Sequence, residues 1–219
     1  MVMTRKELYK YVIEYFEKAM PDAKTELHYR SPYELLVSVI LSAQCTDKRV
    51  NMTTPALFSV YPTPIELAKA SFDELFPFIK SISYPNSKTR HLIAMAQMLV
   101  NDFNGEVPQE RENLEKLPGV GRKTANVVAS VVFGENTMPV DTHVFRVAQR
   151  IGLVTTSKTP RQVEDQLVKN TPSEILGKFH HWLILHGRYV CVARNPKCDI
   201  CGLTEVCKYY KKTSKSSTR

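Results

Sequence analysis

Apolar positions recur along this chain with the period of an α-helix. Within residues 6–20 four apolar side chains stand four residues apart, as on one face of an amphipathic helix: Leu8, Val12, Phe16 and Met20. The run YELLVSVILSAQ after Ser31-Pro32 is apolar on nearly every face, which favours a buried central helix with a serine N-cap and a proline at its first position. No segment alternates convincingly at period two. The pattern therefore predicts an all-α protein with roughly ten helices, short connections and no internal repeat.

Cap and turn signals predict where several helices begin and end. Capping boxes mark three helix starts: Thr63–Glu66, Ser71–Glu74 and Thr159–Gln162. Asn86-Ser87 is expected to cap a helix that ends at Gly105, and Gly134 and Gly152 are expected to close two more. The valine-rich run VVASVVF fits a helix face as well as a strand, and the glycines on either side of it favour the helix.

The charge balance favours a polyanionic partner. Lys and Arg together number 30 against 22 Asp and Glu, which gives a net charge of +8 and a pI of about 9.2. On charge alone, a solvated basic surface explains the excess equally well. The N-terminal MVMTRKELYKYVIEYF lacks the apolar core of a secretory signal, and no stretch approaches the ~20 apolar residues of a membrane span. We therefore expect a soluble, intracellular protein.

The segment LPGVGRKTANVV first looks like a loop that binds nucleotide phosphates, but its glycines are misplaced. A Walker A loop needs glycine at the positions of Leu117 and Arg122, and the third glycine of a dinucleotide fingerprint would fall on Thr124. What remains is a helix, a Leu-Pro-Gly-Val-Gly turn with glycines that permit positive φ, and a second helix from about Arg122. The amide groups of this turn can receive a phosphate oxygen, although a plain helix–helix turn is the alternative.

Four cysteines near the C-terminus have the spacing of a metal site. They form C-x6-C-x2-C-x5-C and are Cys191, Cys198, Cys201 and Cys207. In a reducing compartment such a group favours a metal over disulfides, and from spacing alone both an iron–sulfur cluster and zinc remain open. Cys45 stands apart and is expected to be a small buried residue.

The chain resembles the helix-hairpin-helix family of DNA glycosylases, in particular the endonuclease III type. The resemblance rests on LPGVGRKTANVV followed by VDTHVFRVAQR, on ILSAQCTD, NSK, NGEVP and HHWLILHGRYVC, and on the cysteine spacing. It implies a helical barrel domain over 25–135 that carries the hairpin. It also implies an iron–sulfur domain built from 1–24 and 136–219, with DNA in the groove between the two domains. The polar, basic segment 211–219 is expected to be a disordered tail.

The resemblance also implies the catalytic residues. The family nucleophile falls on Lys123 and the second catalytic residue on Asp141. Such a lysine displaces the damaged base, forms a Schiff base with the sugar and cleaves the strand by β-elimination. An ordinary lysine is almost fully protonated at neutral pH, so desolvation by a flipped nucleotide or proton acceptance by Asp141 must release the amine. On local sequence alone Asp141 reads as a helix N-cap, and one residue can do both.

The cofactor and the DNA contacts follow from the same resemblance. The four cysteines match the ligands of a 4Fe–4S cluster, which is expected to shape a loop rich in basic residues. Gln44 and Tyr84 map to the residues that fill the gap left by the flipped nucleotide, although the family usually has an aliphatic side chain at the second position. The remaining predicted DNA contacts are the hairpin residues and one histidine: Gly119, Val120, Gly121, Arg122 and His143.

The leading hypothesis is a base-excision repair enzyme that removes oxidised or ring-saturated pyrimidines and cleaves the abasic site. Its partner is duplex DNA with damaged bases or abasic sites, and we expect a monomer in the cytoplasm at the nucleoid. The related adenine glycosylases carry a catalytic Glu in the early buried helix. Leu35–Thr46 here contains no acidic residue, which argues against an adenine glycosylase. The alternatives are a sister glycosylase for mismatched thymine or pyrimidine dimers, and a noncatalytic helix-hairpin-helix DNA-binding protein.

Overall fold

The computed structural model describes residues 3–214, and all regular structure among them is helical. The prediction of an all-α protein is therefore confirmed. The α-helices are, in chain order, α1 (Arg5–Ala19), α2 (Pro32–Ser42), α3 (Asp47–Val60), α4 (Pro64–Leu67), α5 (Phe72–Ile79), α6 (Pro85–Asp102), α7 (Arg111–Leu114), α8 (Arg122–Phe133), α9 (Thr142–Ile151), α10 (Pro160–Asn170), α11 (Leu176–Tyr189) and α12 (Lys208–Ser214). Two short 3-10 helices, Ser173–Ile175 and Cys198–Ile200, complete the secondary structure of the described residues. Across residues 3–214 no helix is both long and apolar enough to span a bilayer.

Most of the predicted helix ends are present as hydrogen-bonded caps. Ser31 caps α2 with Pro32 at the first position, and complete capping boxes start α4 at Thr63 and α5 at Ser71. Gly134 and Gly152 close α8 and α9 in the left-handed conformation. These caps form between residues close in sequence, so a local pattern is sufficient to predict them.

Three local predictions were wrong in detail. Helix α6 begins at Pro85 and not after an Asn86-Ser87 cap, because the Lys88 amide closes the first turn on the Tyr84 carbonyl. Thr159 caps α10, but Gln162 accepts from the Lys158 amide and leaves the capping box incomplete. Gly121 does not have positive φ: it is the N-cap of α8 in extended backbone.

The predicted tail 211–219 is also corrected in part. Its first four residues belong to α12, which runs to Ser214, and the rest lies outside the described residues. Helix α12 contacts α9 in the same structural unit, and Tyr209 on α12 packs its ring against the Arg150 guanidinium at 4.6 Å. These contacts hold α12 against α9.

The chain divides into two compact units, residues 26–135 and residues 1–25 with 136–219. Unit 26–135 is built around α2, in which every residue from Tyr33 to Leu41 is buried and which packs on α3, α6 and α8. The discontinuous unit has its own core, in which Phe16 of α1 stacks on Trp182 of α11 at 5.9 Å and the Trp182 indole donates to the Met20 carbonyl. Chain segments from both ends of the sequence thus share one core in this second unit.

Candidate active site and metal centre

The glycine hairpin has a conformation that other residues would disturb. Gly119 has a φ of 82°, and a Cβ at this position would lie 3.0 Å from the His91 Cβ. Val120 is buried beneath the turn, and its amide donates to the Leu117 carbonyl. No side chain of the described residues caps the next helix at Gly121. The turn and the start of α8 therefore present backbone amides without a competing capping side chain.

Lys123 is the second residue of α8, directly behind this turn, and its side chain is exposed. Arg122 precedes it and is half-buried. The opposite face of α8 is buried, including Ala125 and Val128, and packs against α2. Because α8 is anchored along this face, the backbone of Lys123 is held at a fixed helix end and not in a flexible loop. An amine at this place can attack a carbon atom of DNA that is bound at the hairpin.

Asp141 is the N-cap of α9, as the sequence predicted on local grounds. Its Oδ1 accepts from the amides of His143 and Val144, both at 2.8 Å, so Oδ2 takes no part in the capping hydrogen bonds. The side chain is half-buried. Asp141 can thus hold the start of α9 with one oxygen and act on a proton or a positive charge with the other.

The start of α9 is also held from the side of α11. Arg146 donates to the Gly187 carbonyl at 2.7 Å, and the same nitrogen lies 3.2 Å from Nδ1 of His143. A Cβ on Gly187 would lie 2.9 Å from the His143 Cβ, so the absence of a side chain at residue 187 permits this close approach of the two helices. His143 is therefore tied into the protein, and its ring orientation is fixed by an arginine.

The two residues expected to enter the DNA share an unusual backbone conformation. Gln44 follows α2 and Tyr84 precedes α6; both are exposed, Tyr84 to 63%. Their φ angles are 54° and 57°, which non-glycine residues rarely adopt. Lys88, a buried lysine whose role the sequence did not reveal, bonds to both segments: its ammonium donates to the Ala43 carbonyl and its amide to the Tyr84 carbonyl.

The four C-terminal cysteines line one cavity together with apolar neighbours. Its other lining residues include Ile151, Val190, Leu203 and Tyr210. Four thiolates around one cavity are the donor set that holds iron–sulfur clusters in proteins, so the residues present fit such a cluster.

Two arginines of α9 hold the backbone that carries the first of these cysteines. Arg146 donates to the Cys191 carbonyl, and Arg150 donates to the carbonyls of Val192 and Ala193 and lies 3.5 Å from the Cys191 sulfur. The family motifs in the sequence give these arginines no role. Their spacing of four residues, which places both on one face of α9, is the signal that was available.

Burial governs the chemistry of the thiols and the packing of their loop. Desolvation raises the pKa of Cys201 and Cys207, so without metal both thiols are held in the neutral form. Cys201 also lies 3.7 Å from His186 Nε2. Its neighbour Gly202 lies against the Tyr15 ring so closely that a Cβ would overlap the ring. The loop at Gly202 therefore packs closely against α1, which belongs to the same unit.

Comparison with known proteins agrees with this geometry. Residues 37–173 match the family model of the HhH-GPD superfamily of base excision DNA repair proteins, and residues 191–207 match the iron–sulfur binding domain of endonuclease III. Endonuclease III of Rickettsia conorii is 50% identical over 199 residues, which cover 91% of this chain and 94% of that protein. The chain belongs to the endonuclease III family. The expected resemblance is thereby confirmed, and with it the assignment to helix-hairpin-helix glycosylases.

Solved structures give the same result. A trapped endonuclease III–DNA covalent intermediate has a TM-score of 0.92 at 43% identity and covers 98% of this chain and 100% of its own. A thermostable thymine-DNA glycosylase has a TM-score of 0.83 at 26% identity, with 95% and 97% covered. As an endonuclease III family member, the protein is a DNA-binding base excision repair enzyme, a bifunctional glycosylase and lyase with a 4Fe–4S cluster.

Proposed function

We propose that Lys123 is the nucleophile of this enzyme and Asp141 its catalytic carboxylate. The Lys123 amine attacks the sugar C1′, and the bond from C1′ to the damaged base breaks. The C1′–O4′ bond then breaks, O4′ takes up a proton, and C1′ forms the Schiff base with the lysine nitrogen. This intermediate loses a proton from C2′, and the C3′–oxygen bond breaks by β-elimination. Asp141 accepts a proton and stabilises positive charge on the sugar during attack. The observation that carries this proposal is the exposed Lys123 on the rigid second position of α8, immediately behind a hairpin of backbone amides.

We further propose that the backbone of Gly119–Arg122 binds a DNA phosphate, and that His143 contacts a second one. Both assignments are supported by geometry: a turn without a capping side chain and a histidine ring fixed by Arg146. Backbone amides bind phosphate without reading bases, which suits an enzyme that must scan DNA of any sequence. Gln44 and Tyr84 then fill the space that the flipped nucleotide leaves.

We propose the four cysteines that line the cavity, Cys191, Cys198, Cys201 and Cys207, as the ligands of the cluster. A cluster held by these four residues would join the ends of segment 191–207 and so set the shape of the loop between them. That loop and the start of α12 expose three cations, Arg194, Lys197 and Lys208, which can meet DNA phosphates.

As substrates we propose oxidised and ring-saturated pyrimidines in duplex DNA, bound by a monomer in the cytoplasm at the nucleoid. The support is the strong similarity to endonuclease III. The similarity to a thymine-DNA glycosylase makes mismatched thymine the second candidate. Tyr84 replaces the aliphatic residue that the family usually carries, so the preference for the opposite base is where this protein can differ from its relatives.

The test uses defined-lesion duplexes and two variants. Wild-type enzyme should release oxidised pyrimidines, nick the strand and form a covalent product under borohydride, whereas K123Q should form none. Lys116 lies on the same segment and carries the same charge, so K116Q is the matched control and should trap like wild type. Full trapping by K123Q would refute the nucleophile, and release of mismatched thymine alone would move the substrate to the second candidate.

A further inference from the structure

Lys88 is a buried lysine in the first turn of α6. The residue is only 6% exposed, and its ammonium donates to the carbonyls of Leu41 and Ala43, both at 2.7 Å. Across residues 3–214 it forms no ion pair with a carboxylate, so its partners are backbone oxygens. Desolvation lowers the pKa of Lys88, which reflects the cost of a cation at this place.

The two carbonyls lie at the end of α2, where the helical hydrogen bonds run out. A regular helix would pair the Leu41 carbonyl with the Cys45 amide, but that amide donates to the Ser42 carbonyl at 3.0 Å. Lys88 replaces the missing donor. A cation also interacts favourably with the negative end of a helix dipole. These two hydrogen bonds therefore fix the path of the chain at the end of α2. They link Lys88 to residues 47 and 45 positions earlier in the sequence.

Two of the four non-glycine residues with positive φ among the described residues, Gln44 and Tyr84, lie next to this link. Gln44 directly follows Ala43, and Tyr84 contributes the carbonyl that accepts from the Lys88 amide at 3.1 Å. Lys88 thus touches the segment of Tyr84 through its backbone and the segment of Gln44 through its side chain. Non-glycine residues persist in the left-handed region only where their surroundings fix them, and such residues concentrate at functional sites.

We propose that Lys88 is a positioning residue that holds Gln44 and Tyr84 in one arrangement, so that both enter damaged duplex DNA together. This inference rests on the proposed roles of those two residues. Lys88 is buried and does not reach the DNA itself; it acts through the ends of α2 and α6. Without it, the two side chains would have to be ordered during insertion, and a nucleotide would be flipped more slowly.

The experiment compares two substrates that differ only in their need for insertion. A lesion duplex requires the nucleotide to be flipped out of a stack, whereas an abasic site in a single strand does not. K88M should lower the single-turnover excision rate on the lesion duplex by about 10- to 100-fold, since a misplacement near 1 Å has effects of that size. Its borohydride trapping on the single-stranded abasic site should stay within about twofold of wild type.

Controls separate this role from general stability. L92A removes a fully buried side chain one turn further along α6, leaves the Lys88 bonds in place and should affect the two substrates equally. K88R, which keeps a cation, should recover part of the duplex rate. If K88M does not fold, K88Q carries the same test. Adding K88M to the Q44A/Y84A double variant should cause little further loss on the duplex.

The outcomes are distinguishable. Equal losses on both substrates, or a full additional loss in the Q44A/Y84A background, would overturn the positioning role of Lys88. Absence of trapping by wild-type enzyme on the single-stranded abasic site would instead refute the proposed lyase chemistry. A normal duplex rate in folded K88M would also overturn the inference while leaving the proposed function intact.

Discussion

Asp141 combines a structural and a catalytic role that substitution can separate. Its Oδ1 accepts from two amides of α9, so D141A leaves both donors without their partner. Loss of such an N-cap costs about 1–2 kcal/mol of unfolding free energy. In a protein of this size that lowers Tm by about 2–4 °C per kcal/mol. D141N keeps an oxygen that can cap the helix and loses only the charge, which near a helix N-terminus contributes about 0.3–1 kcal/mol.

The catalytic loss should be much larger than the loss of stability, and it should be the same in both variants. Removal of a general base or a stabilising carboxylate lowers rates by about 10²- to 10⁴-fold. We therefore expect D141N to be nearly as stable as wild type but strongly impaired in single-turnover excision. D141A should be impaired to a similar degree and also less stable.

The matched control is the N-cap of another helix in the same unit. Thr159 accepts from the Gln162 amide at 3.3 Å and caps α10, so T159A should lose stability on the scale of D141A and keep its excision rate. Stability is measured by thermal unfolding, and excision on a lesion duplex with excess enzyme. If D141N excises at the wild-type rate, the Asp141 carboxylate is a cap and nothing more.

Three further predictions concern glycines and a histidine. G202A should lower the iron content and visible absorbance per protein, because the added methyl overlaps the Tyr15 ring, and Y15A should restore both. G187A places a Cβ 2.9 Å from that of His143 and should destabilise the protein by about 1–3 kcal/mol in denaturant unfolding, with reduced excision. Burial lowers the pKa of His181 from 6.5 to about 4, so the unfolded chain binds more protons between these values. Stability should fall as the pH drops through this window, by up to about 1.4 kcal/mol per pH unit, and H181Q should remove that part of the slope.

The sequence predicted those features that depend on neighbouring residues. The caps at Ser31, Thr63, Ser71 and Asp141 each bind an amide two or three residues ahead, so a short pattern contains all the information needed. The prediction for the start of α6 was wrong because the residue before that helix has a conformation that a local pattern does not predict. Tyr84 is a non-glycine residue in the left-handed region, a conformation that local propensity does not favour.

The amino-acid composition does not predict which partners the basic side chains bind. The excess of positive charge favoured a polyanionic partner, yet Lys88, Arg146 and Arg150 direct their charge at backbone carbonyls of the protein. In both units these carbonyls lie at or just beyond a helix end, after α2 and after α11, where the helix leaves acceptors unpaired. The segments held in this way carry Gln44 and Cys191. A count of charges cannot distinguish such cations from those that meet phosphate, because the difference depends on contacts more than 40 residues apart in sequence.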